Sequence, residues 1–232
     1  MNRITKRDDI EWLNFWWEDA SIHKKTVLCV GASVLRQVRG ELQKQLGIKC
    51  SYFGSSAAYE DPALYSQLKY FFSYKEYKYY MCIVQITTHA FKMSQYPYTE
   101  KVLDRYFSYL RKYCKKIYVI SLLHMTELDS QKEDDENNQK ILEINELTRQ
   151  YCQKEKIPYI DLYNTMKNSG FKHVDKVHFE RASDAFFAEK IVGFVHANKV
   201  IQKQWGCLRY IKNSQEIEIR LAELPIFRYR KK

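Results

Sequence analysis

The stretch Thr26-Val27-Leu28-Cys29-Val30-Gly31-Ala32-Ser33-Val34-Leu35-Arg36-Gln37-Val38 decides how the rest of the chain reads. Its first half is an apolar run that ends in Gly31, the pattern of a strand buried on both faces. From Val34 the apolar positions recur at 34, 35, 38, 42 and 46, a helical period that Gly47 stops. A buried strand that gives way to a helix within three residues opens a β-α unit.

The alternation continues outward. Cys50 to Phe53 reads as a second strand ending at Gly54, and Pro62 opens a helix through Phe72 with Asp61 as its cap. Tyr79 to Ile86 is a third strand, Thr99 to Cys114 a helix, and Ile117 to Leu123 a fourth strand. Glu133 to Lys154 is a long charged helix whose acidic start suits the helix dipole. Ile157 to Asp161 is a fifth strand and Arg181 to Lys203 the closing helix. The prediction is a three-layer α/β/α sandwich with a five-stranded parallel sheet of flavodoxin-like type. Ahead of it, Ile10 to Ala20 carries Trp12, Phe15, Trp16 and Trp17 near helical spacing, which predicts an amphipathic helix over the core. Behind it, Cys207 to Ile211 and Ile217 to Leu221 alternate around Asn213-Ser214-Gln215, a β-hairpin. The division expected is an α/β domain over 1–203 and a hairpin with a basic tail over 204–232.

Composition narrows the classes. With 45% hydrophobic residues and only 7 Gly and 4 Pro in 232, the chain is neither disordered nor collagen-like. No apolar run nears the roughly 20 residues of a membrane span. The polar start MNRITKRDDIEW lacks the apolar centre of a secretory signal, so a cytoplasmic protein is expected. The net charge of +10 invites a nucleic-acid reading. However, Lys24-Lys25, Lys115-Lys116 and Arg228 to Lys232 are separated by acidic stretches and accompany no nucleic-acid signature, so solvated faces are expected instead. The basic terminus is assigned at most a weak peripheral contact with a membrane or protein. Six cysteines form no CxxC pair and no Cys/His cluster at zinc spacing, which predicts buried thiols, no metal and no cofactor.

In parallel sheets the site lies beyond the carboxyl ends of the strands. There the chain places Gly31-Ala32-Ser33, Gly54-Ser55-Ser56, Thr87-Thr88-His89 and the loop Asp175-Lys176-Val177-His178. A serine between strand and helix projects its hydroxyl into the cleft while the helix N-terminus faces a developing anion. By position alone the favoured reading is an ordinary helix cap. Its hydroxyl needs a base, and a histidine held by a carboxylate three residues earlier supplies one. His124, with Glu127 and Asp129 nearby, shows no metal pattern.

In order and spacing these segments, from Lys25 to Ala197, resemble the blocks of SGNH (GDSL-like) esterases and acyltransferases. The resemblance implies that Ser33 is the nucleophile, His178 the base and Asp175 the residue that orients it. It further implies an oxyanion held by the Ser33 N–H, Gly54 and a third-block residue. The chain departs from the pattern twice. Ala32 stands where the first block usually has Asp, and Thr87-Thr88-His89-Ala90 stands where the third usually reads Gly-x-Asn-Asp. By register His89 takes the asparagine position, with the Thr87 and Thr88 hydroxyls as other candidate donors. Arg36, three residues after the serine, is similar to the Gly-Asp-Ser-x-x-Arg block of polysaccharide and sialic-acid O-acetyltransferases, which implies a substrate-binding role. Arg39 repeats the spacing, and both cannot be special. The expected function is a serine esterase that removes an O-acyl group, acetyl first, from a carbohydrate. The same residues serve an O-acetyltransferase acting on a surface polysaccharide. A chain that had lost its oxyanion partner would be a glycan-binding or scaffold protein.

Overall fold

All five residues of β2 (Val27–Gly31) are buried, as its unbroken apolar run requires. The computed structural model describes residues 13–18, 25–74, 78–89, 98–127, 134–198, 201–205, 208–212, 216–221 and 224–230. The chain divides into two compact units, residues 1–189 and 190–232.

The first unit is built on a six-stranded sheet of order β1-β3-β2-β4-β5-β6, with β1 at Leu13–Trp16, β3 at Cys50–Ser55, β4 at Met81–Gln85, β5 at Ile117–Ile120 and β6 at Tyr159–Ile160. Strands β3, β2, β4, β5 and β6 run parallel. The chain steps to one side of β2 for β3 and to the other for β4, so a crevice opens beyond the carboxyl ends of β2, β3 and β4.

Helix α1 (Ser33–Leu46) buries Leu35, Val38 and Leu42 and ends at Gly47, whose left-handed backbone (φ 63°) suits glycine. Helix α2 (Pro62–Ser73) is capped by Asp61, which accepts from the Ala63 N–H at 2.8 Å, with Pro62 in the first turn where no donor is lost. Helix α3 (Glu100–Arg111) buries Leu103, Tyr106, Phe107 and Leu110. Helix α4 (Asp135–Lys154) starts behind an Asp134 cap, and its buried face includes Asn138 and Asn145. The short α5 (Tyr163–Lys167) and the closing α6 (Ser183–Ala197) complete the helices described. Stacked rings fill much of the core: Tyr59 on Tyr106 at 4.2 Å and Phe72 on Tyr113 at 3.9 Å. The five described cysteines, Cys29, Cys50, Cys82, Cys114 and Cys152, are free and buried.

Two expectations are corrected and a third, the C-terminal hairpin, is present within a larger sheet. The aromatic N-terminal segment forms strand β1 rather than a helix, pairing antiparallel with β3 and making the sheet six-stranded. Its aromatics divide with a period of two. Phe15 and Trp17 pack on Phe71 at 5.5 and 5.3 Å. Trp16 instead lies under the Arg39 guanidinium at 4.8 Å and donates to Glu18 at 2.8 Å. The closing helix stops at Ala197, where the Asn198 side chain turns back to the Phe194 carbonyl at 2.9 Å, and does not reach Lys203. The second unit holds more than a hairpin: β7 (Ile201–Trp205), β8 (Leu208–Lys212), β9 (Glu216–Leu221) and β10 (Leu224–Arg230) form a four-stranded antiparallel sheet. The expected hairpin is its β8–β9 pair, with Lys212 opposite Ile217. Trp12, Cys207 and Asp129 lie outside the described residues.

Candidate active site

Strand β2 delivers the chain to Ala32, an extended residue at the start of α1 that offers no side-chain cap. Ser33 is the first helical residue, so its N–H is among those that have no carbonyl partner within the helix. The sequence distance to His178 is 145 residues, yet the Ser33 Oγ lies 2.5 Å from the His178 Nε2. On the other side of the ring, Nδ1 lies 2.7 Å from the Asp175 Oδ2. An ionised Asp175 accepts only, so the ring proton sits on Nδ1 and the Ser33 hydroxyl donates to Nε2.

Asp175 is held as an anion by its own loop. Its Oδ1 accepts from the backbone N–H groups of Val177 and His178, both at 2.8 Å. Burial pushes the carboxyl up, but these two donors and the His178 ring outweigh it, so it titrates below the usual carboxylate range. The loop itself is closed by the bridge between His173 and Phe179 and by the Val174 N–H on the His178 carbonyl at 2.8 Å. Thr126 fastens it from beyond β5, its N–H on the Lys176 carbonyl at 3.1 Å and its hydroxyl on the Asp175 carbonyl at 3.4 Å.

Thr126 is anchored in turn. Asn138 of α4 accepts from the Met125 N–H and donates to the Met125 carbonyl, both at 2.8 Å. One heptad on, Asn145 does the same to Leu122 at 2.8 and 3.0 Å. Each amide replaces a strand partner for backbone that has left the sheet. Behind the loop, His173 is buried against Phe179 at 4.0 Å, and burial pushes its ring below the usual imidazole range despite the nearby His124 carbonyl. His124 is also buried, its ring 4.6 Å from that of His173, and therefore packs beneath the loop rather than at the cleft mouth.

The other predicted residues separate. Gly54 lies inside β3, opposite Gly31 on one side and Asn14 on the other. A Cβ there would stand 2.1 Å from the Tyr52 hydroxyl oxygen, so the close passage of that ring requires glycine. His89, one residue beyond Thr88, is half-buried. Thr87 is only 5% exposed, and its hydroxyl is sealed beside Tyr59, out of reach of a ligand in the cleft as the side chains stand. Arg36 is exposed near the Tyr52 hydroxyl. Arg39, by contrast, is committed to structure, with Glu18 at 3.0 Å and the Cys50 carbonyl at 2.7 Å.

A parallel sheet of this order, with serine, histidine and aspartate aligned beyond its strand ends, has the form of an SGNH esterase. The signature of the GDSL-like Lipase/Acylhydrolase family spans residues 31–191, and the chain belongs to that family. Solved structures agree in fold. The chain resembles the acetyl xylan esterase AlAXEase (18% identity, 73% of this chain and 99% of that chain, TM-score 0.53). It also resembles the inhibitor-bound aryl esterase of M. smegmatis (18%, 73% and 99%, TM-score 0.52). A third likeness is to a lipolytic G-D-S-L family protein of Veillonella parvula (14%, 73% and 97%, TM-score 0.56). No curated protein sequence matches the chain. Among the described residues no helix is long and apolar enough to cross a membrane.

Four residues that shape the site escaped the reading of the sequence. Tyr52 looked like one more apolar strand residue, and Gln37 and Thr126 bond to backbone remote in sequence. Asn138 left a trace: with Asn145 it puts two amides seven apart on the buried face of α4.

Proposed function

We propose that the protein is a serine esterase that removes an O-acyl group, acetyl in the first instance, from a carbohydrate. The observation that carries this reading is the unbroken line from Ser33 Oγ through the His178 ring to Asp175, with contacts of 2.5 and 2.7 Å. As the Ser33 oxygen bonds to the acyl carbon, its proton passes to His178 Nε2, and Asp175 stabilises the charged ring. The Ser33 N–H, at the positive end of α1, faces the oxyanion. His89 is the second donor that the family pattern suggests; Gly54, the third in that pattern, lies within the β3 ladder with its N–H turned toward β1 and Asn14. The tetrahedral adduct collapses when His178 returns the proton to the departing sugar oxygen, leaving acyl-Ser33. Water, deprotonated by His178, then releases the acid.

The carbohydrate assignment draws on neighbours described as acetyl xylan esterases, including Axe2 of Geobacillus stearothermophilus (13% identity, 74% of this chain and 94% of that chain, TM-score 0.55). Arg36 is the proposed substrate contact, exposed on α1 one turn from Ser33 and making no ion pair among the described residues. The test is hydrolysis of p-nitrophenyl acetate and of acetylated xylo-oligosaccharides by wild type, Ser33→Ala and His178→Ala. Acetate release from both substrates by wild type alone is expected; equal rates from all three proteins refute the reading.

A further inference from the structure

The turn that carries Ser33 is held from outside its own segment. Ala32 has no side chain with which to fix the start of α1. Its carbonyl oxygen accepts the Arg36 N–H at 3.2 Å, the first bond of the helix, and also the Tyr52 hydroxyl at 2.8 Å. The same hydroxyl lies 3.4 Å from the Gly31 carbonyl oxygen. Tyr52 is wholly buried on β3, and its ring runs along the strand over Gly54, the one residue type that leaves it room. Burial pushes its hydroxyl far above the ordinary phenol range, with the nearby Arg36 cation pulling against that shift, so it remains a donor at any working pH.

The carbonyl of Ala32 and the N–H of Ser33 are two ends of one conjugated peptide group. A donor on the oxygen withdraws electron density from the nitrogen and makes the N–H a stronger donor in turn. We propose that Tyr52 is a positioning residue for the oxyanion: its hydroxyl, through the Ala32–Ser33 peptide, aims and polarises the Ser33 N–H toward the charge that develops on the acyl oxygen. Tyr52 touches neither substrate nor imidazole. The inference rests on Ser33 being the nucleophile.

The experiment compares wild type, Ser33→Ala and Tyr52→Phe. A fluorophosphonate first tests the site itself: Ser33 Oγ bonds to phosphorus, fluoride leaves, and the serine proton goes to His178. Labelling of wild type but not of Ser33→Ala is expected. If wild type is not labelled at Ser33, the reading of the site fails and the role of Tyr52 falls with it, a result distinct from a silent Tyr52→Phe.

Tyr52→Phe is expected to lower kcat on p-nitrophenyl acetate by about tenfold with KM little changed. It should weaken inhibition by phenylboronic acid, whose tetrahedral adduct carries the same negative charge, by the same factor. The pH midpoint of fluorophosphonate labelling should stay in place, because the imidazole is untouched. An unchanged kcat and boronate affinity overturns the proposal, and so does a loss that travels with a moved pH midpoint. Should Tyr52→Phe fail to fold, Tyr52→3-fluorotyrosine, a stronger donor of similar shape, is expected to tighten boronate binding; unchanged binding overturns the proposal.

Discussion

Gln37 donates its side-chain N–H to the carbonyl oxygen of Phe179 at 3.1 Å, joining the helix that begins at Ser33 to the residue that follows His178. The same nitrogen donates to Asp184 at 2.7 Å, so one amide ties α1 to both the end of the loop that carries Asp175 and His178 and the first turn of α6. The serine and histidine arrive from opposite ends of the chain, and this cross-link lies one helical turn from Ser33. Gln37→Ala is expected to lower stability by about 1–3 kcal/mol, since it leaves the buried Asp184 with less compensation. It should reduce kcat more than it raises KM, because Ser33 and His178 lose their register. Urea unfolding and steady-state kinetics on p-nitrophenyl acetate check both parts.

Gly54 and Tyr52 share one face of β3, two residues apart, and the ring occupies the space a Cβ would need. Gly54→Ala should therefore cost about 1–3 kcal/mol of stability, as overpacked cores do, and displace the hydroxyl from Ala32. In Tyr52→Ala the ring is gone, so adding Gly54→Ala to it should cost much less than in the wild-type background. A double-mutant cycle by thermal or urea unfolding measures the coupling; strictly additive losses would show that the two residues do not contend for the same space.

How far the sequence discloses this molecule depends on which interactions shape each part. The parallel strands and their helices were legible because burial imposes a continuous apolar run on β2 and β4 and a helical period on α1 and α3. Ser33, Asp175 and His178, which the structure brings into one line, could be singled out in the sequence because a serine hydroxyl at a strand end needs a base and that base an acceptor. The N-terminal aromatics misled because Phe15, Trp16 and Trp17 suit a helix stripe as well as a strand. Only the exposed edge of β3, a tertiary feature, decides between them. The closing helix was drawn too long because Ile201 continues its apolar pattern into β7. The supports of the site were hidden for another reason. Tyr52 to Ala32, Gln37 to Phe179 and Thr126 to Asp175 are side-chain bonds to backbone 20, 142 and 49 residues away, and no local pattern records them.

Asn138 and Asn145 make equivalent clamps on the segment after β5, but only Met125, held by Asn138, adjoins Thr126. Asn145→Ala leaves the Leu122 N–H and carbonyl without their side-chain partner, whereas Asn138→Ala leaves the Met125 N–H unpaired while its carbonyl keeps the Asp134 N–H at 3.2 Å; each should cost about 1–3 kcal/mol. Their effects on activity should differ. Asn138→Ala is expected to lower kcat more than Asn145→Ala at matched stability, because it loosens the fastening of Lys176 and Asp175 through Thr126. Kinetics at low temperature, where both variants are fully folded, separate the two; equal kcat values would show that the loop is rigid without this anchor.

His173 and Asp175 give the stability two acid-side dependences at different pH. Burial lowers the folded-state value of His173, so between about pH 6.5 and that lower value the unfolded chain binds a proton there that the folded chain refuses. Stability falls as pH drops through this window. The Asp175 carboxyl is also lowered in the folded state, by the Val177 and His178 N–H groups acting against burial. Its contribution is present above about pH 3.9, the unfolded value, and is lost as pH falls through the folded one. His173→Asn should therefore flatten the urea midpoint between pH 7 and pH 5 and leave the steeper acid limb intact. Asp175→Asn should soften the acid limb, which Glu18 and Glu146, also lowered in the folded state, share, and leave the fall between pH 7 and pH 5 in place. It should also cut kcat by about a thousandfold or more, since the amide no longer fixes the imidazole proton on Nδ1. If the His173→Asn midpoint still falls from pH 7 to pH 5 as in wild type, His173 is not the group that titrates there.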